Sequence, residues 1–126
     1  MIPKRYPASS SRHLGVLGES IAADFLKEKG YFIREKNFRC KIGEIDLIAD
    51  RNEYLVFVEV KSRYAGKMNI SPLISMTKAK CKKLRILGEL YLVQKKLLKR
   101  QPRFDVIGIS FQDKEHYTLE HIKNAF

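Results

Sequence analysis

Acidic side chains are concentrated between residues 44 and 59 of a chain that is otherwise basic, and Lys61 follows directly. The pattern Asp46, Glu59, Lys61 places two carboxylates and one ammonium on two adjacent predicted strands. Two carboxylates beside a single lysine make a poor salt bridge, because the like charges repel. Lys61, a shared proton or a divalent cation has to offset that repulsion.

The two strands that carry these residues are predicted at Glu44–Asp50 and Tyr54–Ser62, since both are rich in β-branched and apolar residues. Only three residues separate them, so we expect an antiparallel hairpin. Alternate residues of a strand share a face, and a slip of one residue would oppose charged with apolar positions. The expected register opposes Arg51 with Tyr54, Ile48 with Phe57, Asp46 with Glu59, and Glu44 with Lys61.

A metal site explains this hairpin face better than ordinary solvent exposure does. A solvated face would be polar along its length, whereas Leu55 and Phe57 share the predicted face of Glu59. Directly opposed Cβ atoms lie roughly 5 Å apart, which suits two carboxylates that share a cation. Ligands with oxygen donors alone favour Mg²⁺, Mn²⁺ or Ca²⁺ over Zn²⁺.

The spacing of apolar residues predicts the helices and strands that must position these residues. Glycines and prolines that interrupt regular structure mark their ends, among them Gly30, Gly66, Pro72 and Pro102. The resulting order αβββαββ predicts an α/β (α+β) fold with a central mixed sheet flanked by helices. Residues 1–126 form one domain, with 1–12 a flexible N-terminal arm. The other predicted elements are a helix at Arg12–Lys29, a strand at Tyr31–Phe38, a loop at Ser62–Ser75, a helix at Ser75–Leu98 with Leu97 and Leu98 on its buried side, and strands at Phe104–Gln112 and Tyr117–Ile122.

The chain carries 25 Lys and Arg against 14 Asp and Glu, a formal net charge of +11. Ten of these bases lie between Lys78 and Arg103, where the single acid is Glu89. A helix whose charged residues are nearly all basic lacks the usual i,i+4 acid–base pairs, and this indicates a polyanionic partner. We expect phosphate contacts from Lys78, Lys80, Lys82, Lys83 and Arg63, with DNA preferred over RNA.

Other classes of protein are disfavoured by the sequence. No apolar run approaches the roughly 20 residues of a membrane span, and Met1–Leu14 lacks the apolar region of a secretory signal. The long helix has too few aromatic residues opposite its lysines for a membrane-surface helix. Two cysteines, Cys40 and Cys81, predict a reduced, cytoplasmic protein without disulfides.

The segment Gly43–Ala49, followed by Val56–Arg63, resembles the YraN-like family of uncharacterised bacterial proteins. That family is similar to the PD-(D/E)XK nucleases, which have a restriction-endonuclease-like fold and include archaeal Holliday-junction resolvases. Gly18-Glu19, Gly30-Tyr31, Asn37-Phe38-Arg39, Arg103-Phe104-Asp105-Val106 and Asn124-Ala125-Phe126 fit the same pattern. The resemblance therefore runs through most of the chain.

The resemblance implies an αβββαβ core in which Asp46, Glu59 and the Val60 carbonyl hold Mg²⁺ or Mn²⁺. It makes Lys61 the catalytic lysine and Glu44 either a further ligand or a group that supports the ligands. Glu19 matches a helix glutamate that reaches the metal, although a solvent-facing role fits this position equally well.

Two functions remain open from the sequence. The first is metal-dependent hydrolysis of phosphodiester bonds, selective for nucleic-acid structure rather than sequence, by a monomer or a homodimer. The alternative is a nucleic-acid-binding or ribosome-associated module without activity. The intact Asp46, Glu59 and Lys61 favour the first, whereas the basic helix supports both equally.

Overall fold

The computed structural model describes residues 11–65 and 71–126, with side chains from Leu14 onward. Two α-helices and five strands make up these ranges, joined by one short 3₁₀ helix. The elements in chain order are α1 (Ser11–Glu28), β1 (Phe32–Arg39), β2 (Glu44–Arg51), β3 (Tyr54–Tyr64), the 3₁₀ helix (Pro72–Ser75), α2 (Lys78–Gln94), β4 (Gln101–Phe111) and β5 (Tyr117–Ile122).

The strands form one mixed sheet in the order β1-β2-β3-β4-β5. All neighbouring pairs are antiparallel except β3 and β4, which are parallel. A parallel pair needs a long crossover connection, and the 3₁₀ helix together with α2 supplies it. The predicted α+β class, with a mixed sheet between helices and an αβββαβ core, is confirmed.

The sheet has an apolar core on each face, because apolar residues of its central strands point to both sides. Ala22, Ala23 and Leu26 of α1 pack against Leu47, Val58 and their neighbours on one face. Leu84, Leu87 and Tyr91 of α2 pack against Ile48, Phe57 and Phe104 on the other. A strand with two covered faces is apolar at successive positions, as β2 and β3 are.

Both helices end at a residue in the left-handed conformation. Gly30 has φ +94°, and the backbone amides of Gly30 and Tyr31 donate to the carbonyls of Lys27 and Leu26, which satisfies the last turn of α1. Lys96, at φ +58°, follows the end of α2. α2 is therefore shorter than predicted, and Leu98 is 71% exposed rather than buried.

The β2–β3 hairpin follows the predicted register from its turn only as far as the middle of the strands. Arg51 opposes Tyr54 and Ile48 opposes Phe57, and the ladder ends at Leu47 and Val58. The predicted pairs of Asp46 with Glu59 and of Glu44 with Lys61 are not part of it. Glu44 and Ile45 still pair with Arg39 and Phe38 of β1, so β2 separates from β3 beyond Leu47.

Other boundaries also differ from the sequence predictions. The 3₁₀ helix lies inside the predicted loop, and Ser71 caps it by accepting a hydrogen bond from the Leu73 amide. β4 begins at Gln101 and includes Pro102, which pairs with Leu55. The first ten residues of the predicted N-terminal arm lie outside the described residues, and residues 11 and 12 begin α1.

Candidate active site

Asp46 lies at the point where β2 and β3 separate, and its side chain takes over a hydrogen bond that the ladder would otherwise make. Its Oδ2 accepts from the Val60 amide at 2.8 Å. The residue is 9% exposed. The carboxylate of Asp46, a residue of β2, thus lies in the gap between the two strands. The backbone amide of Val60 in β3 holds it there.

Glu59 lies close enough to Asp46 for its negative charge to raise the Asp46 pKa, and it contacts two lysines. Its Oε2 lies 3.3 Å from Lys61 Nζ and 4.0 Å from Lys80 Nζ. Lys61 is two residues further along β3, whereas Lys80 comes from the first turn of α2. Thr77 caps that turn by accepting a hydrogen bond from the Lys80 amide at 3.1 Å, which fixes where the helix begins relative to the carboxylates.

The two lysines affect each other's protonation. The hydrogen bond with Lys61, burial and the charge of Lys61 together lower the pKa of Lys80. Burial would lower the pKa of Lys61, but the hydrogen bond with Lys80 and the charges of Glu59 and Asp46 outweigh it, so that this pKa is raised. Lys61 therefore holds its proton more tightly than Lys80 does.

The pKa of Asp46 is raised far above that of an ordinary aspartate. Burial, followed by the negative charge of Glu59, raises the pKa of Asp46 to about 8, although the hydrogen bond from Val60 opposes this. The carboxylates of Glu19 and Glu44 raise it further. The fold has therefore gathered more negative charge than its lysines neutralise.

Glu19 reaches this cluster from α1. Its carboxylate forms hydrogen bonds with Asn37 and Asp46, and burial together with Glu44 and Glu59 raises its pKa. The helix comes close enough because of Gly18, where an added Cβ would overlap Ser62 Oγ. Of the two interpretations of Glu19 that the sequence left open, contact with the site is the one observed.

Glu44 lies beside the cluster rather than inside it. It is exposed, and its carboxylate forms a salt bridge with Arg39 Nε at 2.9 Å. Its charge still reaches Asp46 and Glu19, since it raises the pKa of both. This placement suits a group that supports the ligands better than a ligand.

The donors at the gap are oxygen atoms. Within residues 14–65 and 71–126, no three His, Cys, Asp or Glu side chains are arranged to hold a metal ion. A cation at this site would have two carboxylates, Asp46 and Glu59, and would take its other ligands from water, backbone or substrate oxygens. Mg²⁺ is commonly bound in that way, so these residues fit it.

The bases between Lys78 and Arg103, which include most of the predicted phosphate contacts, divide into two groups. Lys78, Lys82, Lys83 and Arg85 are exposed and form no salt bridge with any part of the chain that the structure describes. Lys83 lies across the β1–β2 turn, where an added Cβ on Gly43 would approach its Cε to 3.2 Å. Lys95, Arg100 and Arg103 are instead paired with Glu35, Asp50 and Asp105.

Arg63 lies beyond Lys61 on β3, and its Nε donates to Ser110 Oγ of β4 at 3.2 Å.

Two contacts of the site were not predicted from the sequence. The first is Asn37, which holds Glu19 from a left-handed position at φ +53°. The second is the close contact between Lys61 and Lys80. Asn is enriched at positive φ, so Asn37 was detectable in principle.

Comparison with known proteins identifies relatives along nearly the whole chain. The profile of the uncharacterised protein family UPF0102 matches residues 18–109. A UPF0102 protein of Clostridium kluyveri is 43% identical over 119 residues, which cover 94% of this chain and 97% of that protein. A UPF0102 protein of Clostridium botulinum is 42% identical over a region that covers 92% of this chain and 95% of that protein. One of Clostridium tetani is 40% identical over 94% of this chain and 97% of that protein.

Proposed function

This chain belongs to the uncharacterised protein family UPF0102, and from the geometry of its candidate active site we propose that it is a metal-dependent nuclease that hydrolyses phosphodiester bonds. The observation that carries the proposal is the gap between β2 and β3. There Asp46 accepts a hydrogen bond from the Val60 amide and lies within reach of the charge of Glu59, which contacts Lys61 and Lys80. The proposed cofactor is Mg²⁺ or Mn²⁺.

The charge balance of the site supports a bound cation. Burial beside Glu59 raises the pKa of Asp46, so the site favours a bound positive charge, and a divalent ion would supply it. When bound, the ion would supply charge neutralisation and Lewis acidity at the phosphate. Asp46 and Glu59 would be its protein ligands, with Val60 presenting the backbone beside them.

Lys61 and Lys80 would act on the substrate rather than on the cation. Lys61 retains its proton, so it can donate to a non-bridging phosphate oxygen and stabilise the charge that develops there. Lys80 holds Lys61 in place, and its lowered pKa suits it to orient the attacking water. Both lysines approach from the side of the sheet that α2 covers.

The expected substrate is nucleic acid, with DNA preferred over RNA. Lys78, Lys82 and Lys83 are exposed near the start of α2, next to Lys80, and would neutralise phosphates that flank the cleaved bond. We also propose a cytoplasmic location, since Cys40 and Cys81 are free thiols. No helix in the described ranges is long and apolar enough to cross a membrane.

The test is cleavage of end-labelled DNA with Mg²⁺ or Mn²⁺, compared with the same reaction in excess chelator. Asp46→Ala and Lys61→Ala should abolish cleavage and leave DNA binding intact. Glu89→Ala and Lys99→Ala are matched controls, because they remove exposed charges of the same types away from the site. Undiminished cleavage in chelator, or by the Asp46→Ala variant, would refute the proposal.

A binding module without activity is the second candidate, and one observation favours it. Glu59 already has two lysine partners, which is sufficient to neutralise it without a cation. Calorimetric titration with Mn²⁺ separates the two functions. A nuclease should show binding that is lost in Asp46→Ala, whereas a binding module should show no metal-dependent heat in the wild type.

A further inference from the structure

A cavity of about 440 Å³ opens beside the candidate active site. Lys61 belongs to both, because it contacts Glu59 at 3.3 Å and also lines the cavity. The cavity then continues along β3 past Ser62 to Arg63 and extends across β4 to β5. Its size falls within the range of small-molecule binding sites in proteins.

The fold holds the 3₁₀ helix over this cavity by a specific contact. Pro72 packs directly on Gly108 of β4, where an added Cβ would overlap the proline ring. Ser71 caps the helix through the Leu73 amide, so the loop backbone is fixed at this point. Pro72 is buried, whereas Ile74, which also lines the cavity, is 75% exposed. The cavity thus has an apolar wall with an open rim.

The other walls carry hydrogen-bonding groups of both kinds. Arg63 donates to Ser110 by one of the five N–H groups of its guanidinium. Thr118 and Glu120 of β5 line the far side and add a hydroxyl and a carboxylate. Apolar walls for a flat ring, with donors and acceptors around its edge, are the features of a pocket that takes a nucleobase.

We propose that this cavity receives one unpaired nucleotide next to the phosphate that is cleaved, an inference that rests on the proposed nuclease function. A base within a duplex is stacked and paired, so it cannot enter a pocket without leaving the helix. The energetic cost of unstacking is least where the nucleotide is already unpaired. The substrate class would therefore be DNA with an unpaired nucleotide at the cleavage position rather than continuous duplex.

The experiment compares two duplexes of the same sequence that contain the fluorescent adenine analogue 2-aminopurine, either unpaired as a bulge or paired with thymine. Binding is measured in Ca²⁺, so that it does not depend on cleavage, by anisotropy of an end label together with 2-aminopurine fluorescence. Wild-type protein should bind the bulged duplex at least about tenfold more tightly and should change the fluorescence of the unpaired base alone.

The variant Thr118→Trp fills the cavity from an exposed strand position that tolerates aromatic residues. It should lose the preference for the bulge and retain the affinity for paired duplex. Tyr117→Trp is the matched control, since Tyr117 is the preceding residue, is 42% exposed and contacts Phe111 outside the cavity. The control should behave as the wild type does.

The outcomes separate the two proposals. Equal wild-type affinity for both duplexes, or a preference that Thr118→Trp leaves unchanged, would overturn the pocket and leave the nuclease proposal standing. If Thr118→Trp abolishes the preference but the wild-type protein cleaves neither duplex with Mg²⁺ or Mn²⁺, the two proposals part. The binding result would support the pocket, and the absence of cleavage would refute the nuclease.

Discussion

Asp46 is held in a position that is unfavourable for a charged group without a cation. The fold offers it hydrogen bonds with the Val60 amide and with Glu19, and surrounds it with the carboxylates of Glu19, Glu44 and Glu59. A raised pKa in a cleft is a mark of functional sites. Under the proposed function, the site would exchange stability for the capacity to bind a cation, a balance found in many active sites.

Asp46→Asn should stabilise the metal-free protein at alkaline pH. Because the pKa of Asp46 rises from its usual 3.8 to about 8 on folding, the folded state binds the proton more tightly. Stability therefore falls as pH rises from about 4 to about 8, and it is lowest above that range. Asparagine removes this dependence, so the variant should be more stable than wild type at pH 8, and the difference should shrink as the pH falls toward 5.

Urea unfolding in chelator at several pH values measures this effect. Asp24→Asn is the control, since Asp24 is exposed on α1. Adding Mn²⁺ should stabilise wild type but not Asp46→Asn. Wild-type stability that rises relative to the Asp46→Asn variant between pH 5 and 8 would contradict the prediction.

Lys80→Met should lower turnover more than it lowers affinity for DNA. The substitution keeps the apolar stem and removes the group that contacts Lys61 and Glu59, so the loss should be about 10²-fold in kcat. Lys82→Met, on the exposed face of the same helix, should weaken binding and leave kcat unchanged. Single-turnover kinetics at saturating enzyme measure both quantities, and equal effects of the two variants would exclude a special role for Lys80.

The types and spacing of single residues predicted part of the site. Alternation along the strands placed Ile48 opposite Phe57 and so brought Asp46 and Glu59 to the same region, as observed. The sequence could not show that the ladder ends at Leu47. That break depends on the Asp46 side chain, which replaces a backbone contact with Val60, and alternation carries no information about such a replacement.

At the scale of elements, the site depends on how closely α1 approaches β3. Gly18 lies against Ser62, whose buried Oγ has no hydrogen-bond partner among the described residues. A helix glycine costs stability relative to alanine, and here the missing Cβ is what lets the next residue, Glu19, reach Asp46.

Gly18→Ala should therefore destabilise the protein and impair the site together. The added Cβ would overlap Ser62 Oγ, and overpacking of this kind costs about 1–3 kcal/mol. Gly15→Ala is the matched control on the same helix, because an added Cβ there meets nothing within 4 Å. It should stabilise the helix by about 0.5–1 kcal/mol.

The double variant Gly18→Ala, Ser62→Gly tests the cause, since removing the Ser62 side chain should restore most of the lost stability. Thermal unfolding of all four proteins and their DNA cleavage rates are the measurements. Equal destabilisation by Gly15→Ala, or no rescue by Ser62→Gly, would show that the Gly18–Ser62 contact is not the reason.

The elements themselves followed from periodicity where their surroundings are regular. The order of helices and strands was predicted correctly, and β5 was predicted with the bounds that it has. The end of α2 was not, because the turn after it depends on Lys96 in the left-handed conformation, an unusual residue for that position. The parallel pairing of β3 with β4 involves residues far apart in sequence, which local spacing does not reveal.

At the scale of the whole molecule, the 25 Lys and Arg residues overstate the number of bases available to a partner. Asp105, which is 0% exposed, accepts hydrogen bonds from Arg103, His121 and the Asn124 amide, and Arg100 pairs with Asp50. These bases stabilise the fold. Four exposed bases that form no salt bridge among the described residues lie instead in the first half of α2, next to the candidate active site: Lys78, Lys82, Lys83 and Arg85.

The salt dependence of DNA binding should distinguish these two groups of bases. Each lysine that neutralises a phosphate contributes about 0.9 to the slope of log affinity against log salt for duplex DNA. Lys82→Gln and Lys83→Gln should each reduce the slope by about that amount, since both side chains are exposed. Lys95→Gln should leave it unchanged, because Lys95 is paired with Glu35 at 3.9 Å.

Fluorescence anisotropy over a range of KCl concentrations measures the slopes, with unfolding curves to confirm that each variant is folded. A reduction of the slope by Lys95→Gln equal to that by Lys82→Gln would mean that phosphate contacts follow total charge rather than the surface at the start of α2. Reductions confined to Lys82 and Lys83 would place the nucleic-acid backbone beside Lys80, within reach of Asp46 and Glu59.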